Sequence, residues 1–420
     1  MRSRSLGIAA VLAGAAALVF AGPIALAGPM EILPANGAAE VAVRPLQIVG
    51  TVQTIYDDNL YRLPSSLSPQ DVGLGGNISR SDRIDTASAG VNLQWLPGAQ
   101  AVTVSSGAAY NHFARNTALN NASGFAKIDW DWRLADRWSG KLSSHYEQTL
   151  ANFANSHFFA KDVLHTYGYA GEIDWQIGSH LFLDANAQHS TTTHGADARQ
   201  YENYVADTGG FGVGYLTEVG NQFGWDYAYT HGNYPRGTDL VGTQFGRRYD
   251  QSTSKFNLKY ALTGKTTLQG DAGYLKRSYP NFNTGAFSGT IWNAILTWNP
   301  GAKTQVAVNT GRQLTAYLDS QSDYFVSNAT GVSLAWSPTL KLSFGLKYSH
   351  DRDRFIGTAL GVAVSDTRHE TVDTGRFTST WSPTDNLSLT LGWGLERRKS
   401  TVSFLTYNDN SATLGVGVSF

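Results

Sequence analysis

Two carboxylate pairs are the first candidates for chemistry: Asp129 with Asp131, and Glu172 with Asp174, each two residues apart. Paired carboxylates do acid–base work on sugars, one donating a proton while the other activates water or attacks. Both pairs, however, precede a tryptophan and a short turn in the same acid-x-acid-Trp arrangement, which favours a charged rim over a reaction centre. His145, His165, His189 and His231 lie in different segments without the spacing a metal site needs. Gly210, Gly212 and Gly214 alternate on one segment with no helix after them, so they read as small strand residues rather than a dinucleotide loop. Gly73-Leu74-Gly75-Gly76 lacks the Lys-Ser/Thr of a phosphate loop. No catalytic residue, metal or cofactor is assigned, and the chain is not read as an enzyme.

The elements that carry these residues are strands. Leu387, Leu389, Leu391, Trp393 and Leu395 alternate with Ser388, Thr390, Gly392, Gly394 and Glu396. Ala412, Leu414, Val416, Val418 and Phe420 alternate in the same way with small and polar residues. Side chains along a strand point to opposite faces, so each segment has one greasy face and one small, polar face. A soluble sandwich alternates too, and the connections decide between the two. Tight turns at Leu96-Pro97-Gly98, Leu134-Ala135-Asp136, Ile177-Gly178-Ser179 and Glu218-Val219-Gly220 begin a series. It continues at Thr263-Gly264-Lys265, Asn299-Pro300-Gly301, Ser337-Pro338-Thr339 and Ser382-Pro383-Thr384. A longer polar connection is expected between each pair of turns. The expected fold is all-β: a transmembrane antiparallel up-and-down β-barrel of about 18 strands, with short periplasmic turns and long extracellular loops.

Composition agrees with that reading. Charged residues are 15% and aromatic residues 12% of the chain, against about 25% charged in ordinary soluble domains. The net charge of −1 argues against a nucleic-acid partner, and the absence of cysteine excludes a disulfide framework. Residues 1–27 read as a signal peptide, with Arg2 and Arg4, a short apolar run, and Ala25-Leu26-Ala27 as a cleavage site. Residues 28–45 form a short periplasmic lead and residues 46–420 the barrel, with both termini expected in the periplasm of a Gram-negative bacterium. Trp95, Trp132, Trp175, Trp298, Trp336 and Trp381 each stand one to three residues before a short turn on the apolar face, a periplasmic aromatic girdle at the headgroup level. The terminal Phe420 reads as a signal to the barrel-assembly machinery.

Taking the polar face as the lumen assigns the charges. Asp129, Asp131, Glu147, Glu172, Asp174, Asp184 and Asp226 make one wall acidic. Lys255, Lys259, Lys341, Lys347 and Arg376 make the opposite wall basic. One reading is a transverse field across a wet channel; the other is local pairing between neighbouring strands. Eighteen strands enclose an aqueous channel, and the first external loop, with Pro64 and Pro69, is long enough to act as a plug.

The run Tyr56-Asp57-Asp58-Asn59-Leu60-Tyr61-Arg62-Leu63, followed by Ser81-Asp82 and Ser88-Ala89-Gly90, resembles the EpsL-type outer-membrane proteins of exopolysaccharide biosynthesis operons. Further similarity lies at Gln148-Thr149-Leu150 with Phe153, Thr263-Gly264-Lys265-Thr266, and Gly273-Tyr274-Leu275 with Arg277. Phe287-Ser288-Gly289, Tyr324-Phe325-Val326-Ser327 and the turn from Trp336 to Lys341 continue it. The resemblance implies export of exopolysaccharide across the outer membrane. It also implies a periplasmic polysaccharide-export protein and an inner-membrane polymerisation system as partners. It transfers no site residue. The alternative is a general diffusion porin for small hydrophilic solutes.

Overall fold

A computed structural model describes residues 45–74, 78–154, 158–236, 248–280, 282–316, 324–356, 358–359, 362–363 and 368–420. The expected signal peptide and nearly all of the lead lie outside the described residues, as do Gly75 and Gly76. Strands dominate because β-branched and aromatic residues recur at every second position, which suits a pleated surface greasy on one side only. The first nine are β1 (Leu46–Asp57), β2 (Asp82–Trp95), β3 (Ala101–Phe113), β4 (Asn121–Leu134), β5 (Trp138–Leu150), β6 (Val163–Ile177), β7 (Leu181–His194), β8 (Tyr204–Leu216) and β9 (Gln222–Asn233). The next six are β10 (Arg248–Thr263), β11 (Thr266–Tyr279), β12 (Phe282–Gly301), β13 (Thr304–Ala316), β14 (Tyr324–Thr339) and β15 (Leu342–Ile356). After a two-residue ribbon, β16 (Thr358–Ala359) with β17 (Val362–Ala363), come β18 (His369–Trp381), β19 (Leu387–Ser400) and β20 (Tyr407–Ser419).

Each long strand pairs antiparallel with its neighbour in sequence, and β1 pairs with both β2 and β20, so the 18-stranded sheet closes on itself. Phe420 seals the seam with two backbone bonds to Ile48, at 2.9 and 3.1 Å. Closure leaves the 18-stranded sheet without an unpaired edge strand among the described residues, which a sheet in hydrocarbon requires.

The tight turns fall at one end. Gly98 (φ 63°) and Gly178 (φ 68°) supply the left-handed backbone those turns need, whereas Ala135 (φ 54°) adopts it with a side chain. At the other end the connections are longer, with one departure from expectation. β11 and β12 join as a hairpin, with Tyr279 opposite Phe282, where a long loop was expected. The strand pattern simply continues through Tyr279, leaving only two residues to turn the chain.

Large apolar side chains line the outside: Val52, Ile128, Leu142, Phe211, Phe256, Leu346 and Leu391 are all exposed. Buried apolar residues instead gather at the loop end, in two clusters. One is built on Leu60, Tyr61, Leu63, Ile84, Phe113, Leu119, Leu150 and Phe153. The other joins Tyr234, Tyr249, Leu275, Tyr279, Phe287, Ile291, Tyr324 and Val326.

Candidate pore and its constriction

The tryptophans of the turn end project outward. Trp95, Trp175, Trp298, Trp336 and Trp381 are exposed, and Trp132 is half-buried. Trp138 joins them, stacked on Trp175 at 5.6 Å. A second outer row, not singled out from the sequence, stands toward the loop end: Tyr56, Tyr110, Tyr146, Tyr169, Tyr229, Tyr274 and Tyr348 are all exposed. Their parity with the apolar positions was the signal that would have found them. Two aromatic rows with an apolar band between them match the two headgroup levels of a bilayer.

On the inner face, Asp174 of β6 stands directly opposite Asp184 of β7. Asp184 in turn faces Gly212 of β8, and Gly212 faces Asp226 of β9. A Cβ at Gly212 would fall 2.3 Å from one Asp184 oxygen and 2.5 Å from one of Asp226. The glycine therefore lets the two carboxylates close over bare backbone. With Glu172 these acids form a row without a salt-bridging cation among the described residues.

Other wall charges pair locally. Asp129 holds Lys127 (2.9 Å) and Lys141 (3.1 Å), and Lys255 holds Asp271 (3.2 Å). Asp131 is exposed near the turn end of β4 and Glu147 is half-buried on β5. Lys259 is half-buried on β10, and Lys347 and Arg376 are exposed register partners on β15 and β18. Lys341 is not on a wall. It occupies the β14–β15 turn and donates to the Pro383 carbonyl at 2.8 Å. Local pairing of neighbouring strands thus accounts for Asp129 and Lys255, but not for the acidic row of β6 to β9.

The loop end is narrowed from within. As β1 ends, Asp57 accepts the Asn59 amide (2.9 Å). The Asn59 carboxamide donates to the carbonyls of Leu63 (2.9 Å) and Asn408 (2.8 Å), and accepts the Leu63 amide (3.0 Å). Arg62 adopts φ 56°, uncommon for a residue with a side chain. That twist carries its guanidinium between Asp57 (3.1 Å) and Asp409 of β20 (3.0 Å). All three side chains are at most 7% exposed, so each charge depends on its partners. Burial works against the Arg62 charge, but Asp57, Asp409 and Glu396 together hold its pKa above the usual value.

This latch presses Leu60, Tyr61 and Leu63 onto Ile84 of β2 and Phe113 of β3. Burial, then the charge of Asp82, pushes the Tyr61 hydroxyl up to about 12. The Tyr61 ring meets Phe153 at 4.9 Å and Phe159 at 6.0 Å, joining the β1–β2 loop to the β5–β6 loop. The β5–β6 loop is held at two further points. Arg398 of β19 donates to the Ala154 carbonyl at 2.5 Å and pairs with Glu370 at 3.4 Å. At the loop's far end Asp162 accepts the Ala196 amide (3.0 Å) and the Arg199 guanidinium (3.1 Å), and pairs with His194 (2.7 Å). Burial alone would raise the Asp162 pKa, but these donors bring it below the usual carboxylate range. The result is a packed, ion-paired constriction made by two loops.

Asp57, Asp58 and Asp409 bring three carboxylates close enough to hold a cation. Arg62 already occupies that role for Asp57 and Asp409.

Residues 247–420 match the family model described as "Putative beta-barrel porin 2". No curated protein matches the chain. Among solved structures, the chain is similar to the outer-membrane protein OpdK of Pseudomonas aeruginosa, with 11% identity and a TM-score of 0.45, covering 89% of this chain and 99% of that one. It is similar to OccK2 (OpdF) of Pseudomonas aeruginosa in complex with glucuronate, with 10% identity and a TM-score of 0.47, covering 89% and 98%. It is also similar to the siderophore receptor PirA of Pseudomonas aeruginosa, with 10% identity and a TM-score of 0.42, covering 89% and 80%. The closed strand order, the apolar exterior between two aromatic rows and the polar interior make the chain a porin-like outer-membrane β-barrel.

Proposed function

We propose that this barrel conducts an exopolysaccharide outward across the outer membrane, with its tight turns and both termini in the periplasm. The observation that carries the reading is where the resemblance to EpsL-type proteins falls. Its most specific run, Tyr56 to Leu63, holds the latch of the constriction from Asp57 onward, beyond generic barrel wall. Leu150 and Phe153 pack against the same latch, and Leu275, Phe287, Tyr324 and Val326 form the second cluster at the loop end. A mouth narrowed by a held loop suits a polymer threaded through on demand. The lumen below it, lined by Ser, Thr, Asn, Gly and separated charges, offers a hydrated chain many weak hydrogen bonds. The expected partners are a periplasmic polysaccharide-export protein and an inner-membrane polymerisation system, with the assembly machinery recognising the strand that ends at Phe420.

A second reading, a diffusion porin for small hydrophilic solutes, is favoured by the match of residues 247–420 to a porin family model. Deletion of the gene in its own host separates the two. Loss of extracellular polymer with accumulation in the periplasm supports export. Normal extracellular polymer overturns it and leaves the porin.

A further inference from the structure

Arg277, on the inner face of β11 near the loop end, is only 4% exposed. It is one of the most enclosed charges of the barrel, and no carboxylate among the described residues pairs with it. Its Nε and Nη2 both donate to a single acceptor, the Gln251 side-chain oxygen, at 3.0 and 2.7 Å. Its Nη1 is buried and has no hydrogen-bond partner. Beneath the guanidinium lies the Tyr249 ring, 3.9 Å from centroid to Cζ.

Around that ring stands a wall of tyrosines. Tyr279 meets Tyr249 at 6.1 Å, and Tyr204, whose hydroxyl bonds that of Tyr249, meets Tyr234 at 5.2 Å. An arginine stays charged in any protein environment, and a buried charge ordinarily recruits a counter-charge from its own chain. The other buried arginines here do so: Arg62 has Asp57 and Asp409, Arg199 has Asp162 and Glu202, and Arg398 has Glu370. Arg277 has instead a neutral amide, an aromatic face, and a donor left without an acceptor.

We infer that Arg277 and its tyrosines form an anion subsite for a sugar carboxylate, taking an acidic saccharide as it passes the mouth. The unused Nη1 donates to the carboxylate, a charge-assisted bond stronger than a neutral one. Phenol hydroxyls turn toward sugar hydroxyls, and a ring face accepts the apolar face of the sugar. Tyr204 and Gln251 remain partly exposed beside it, and a carboxylate reaches the buried Nη1 once these side chains move aside. This inference rests on the export reading only for the source of the saccharide. Binding itself is a property of the barrel.

The test uses the purified full-length barrel, with trigalacturonate as probe and the neutral galactose trisaccharide as control. Binding is read by calorimetry, and channel block is read in planar bilayers. Trigalacturonate is expected to bind and block, and the neutral trisaccharide to bind at least roughly tenfold more weakly, the worth of one hydrogen bond to a charge. Arg277→Gln is expected to erase that difference, and Arg277→Lys to restore part of it. Lys303→Ala, which removes a cation from the tight-turn end, is expected to leave it unchanged. Equal binding of acidic and neutral probes by the native barrel overturns the proposal, and that measurement needs no variant to fold. Equal loss in Arg277→Gln and Lys303→Ala also overturns it, since net charge would then be the cause. A deletion strain with normal extracellular polymer would sink export while leaving this binding result standing.

Discussion

Lys347 on β15 and Arg376 on β18 are register partners on the lumen face, two cations directly opposite each other. Like charges in that relationship destabilise a sheet by a few tenths of a kcal/mol to about 1 kcal/mol. Asp174 and Asp184 stand in the same relationship on the other half of the barrel. Lys347 and Arg376 are exposed, whereas Asp174 is buried. Lys347→Gln is therefore expected to raise the midpoint of urea unfolding slightly and to shift ion selectivity toward cations. Reversal potentials across a salt gradient check the second effect, and an unchanged potential would mean that these cations do not face the conducting path.

The latch at Arg62 should behave differently from any surface pair. Arg62→Ala leaves Asp57 and Asp409 buried without their cation, a loss of about 3–5 kcal/mol for a broken buried pair. The strand ladder does not depend on this contact, so the loop is expected to loosen while the barrel stays closed. Single-channel conductance should rise and the β1–β2 loop should become sensitive to added protease. A variant with native conductance and an intact loop would show that the hydrophobic contacts of Leu60, Tyr61 and Leu63 hold the constriction alone.

Acid should release the other loop. The Asp162 pKa is lower in the folded protein than in the unfolded chain. Such a group contributes stability that is fully present above the unfolded value, about 3.9, and lost as the pH falls through the folded value. The β5–β6 loop is thus expected to stay docked at neutral pH and to undock in acid below the ordinary carboxylate range. Hydrogen exchange of residues 158–162 across pH would follow this. In Asp162→Asn the loop should be weakened at neutral pH, and the contribution from this acid step should vanish.

Gly212→Ala tests the carboxylate row. The nearest atoms the added methyl would meet are the far ends of Asp184 and Asp226, which can swing away. Stability is expected to change by less than about 1 kcal/mol, the usual range for a strand substitution, while cation preference falls as the acids separate. Unfolding and reversal potential measured together distinguish that outcome from a packing defect, which would move the first and spare the second.

The barrel was legible in the sequence because its signal is local: period-two alternation, turn residues and tryptophans just before the turns. The tight β11–β12 hairpin was missed, although Pro280-Asn281 directly after Tyr279 is a turn-forming pair. The latch was visible only as a motif. Its meaning depends on Asp409, far away in sequence and brought beside Arg62 by closure of the barrel. Arg277 was likewise visible only within a motif, because its distinguishing property is the absence of a paired acid among the described residues. No reading along one strand reports which acids a closed sheet keeps away. Lys341 was misplaced by the same reading, one residue short of the strand whose face it was assigned to.

The bonds between Ile48 and Phe420 have a consequence for how the molecule comes to exist. They join nearly the two extremes of the barrel sequence, so this contact closes a loop of almost the whole folded chain. Loop-closure entropy must be met before that contact can stabilise anything, which makes such pairings intrinsically slow. Until it forms, β1 and β20 are open edges, ready to pair with any other strand. The finished wall is therefore all-or-nothing in construction: a sheet of seventeen strands is an aggregation hazard, and the eighteenth turns it into a container.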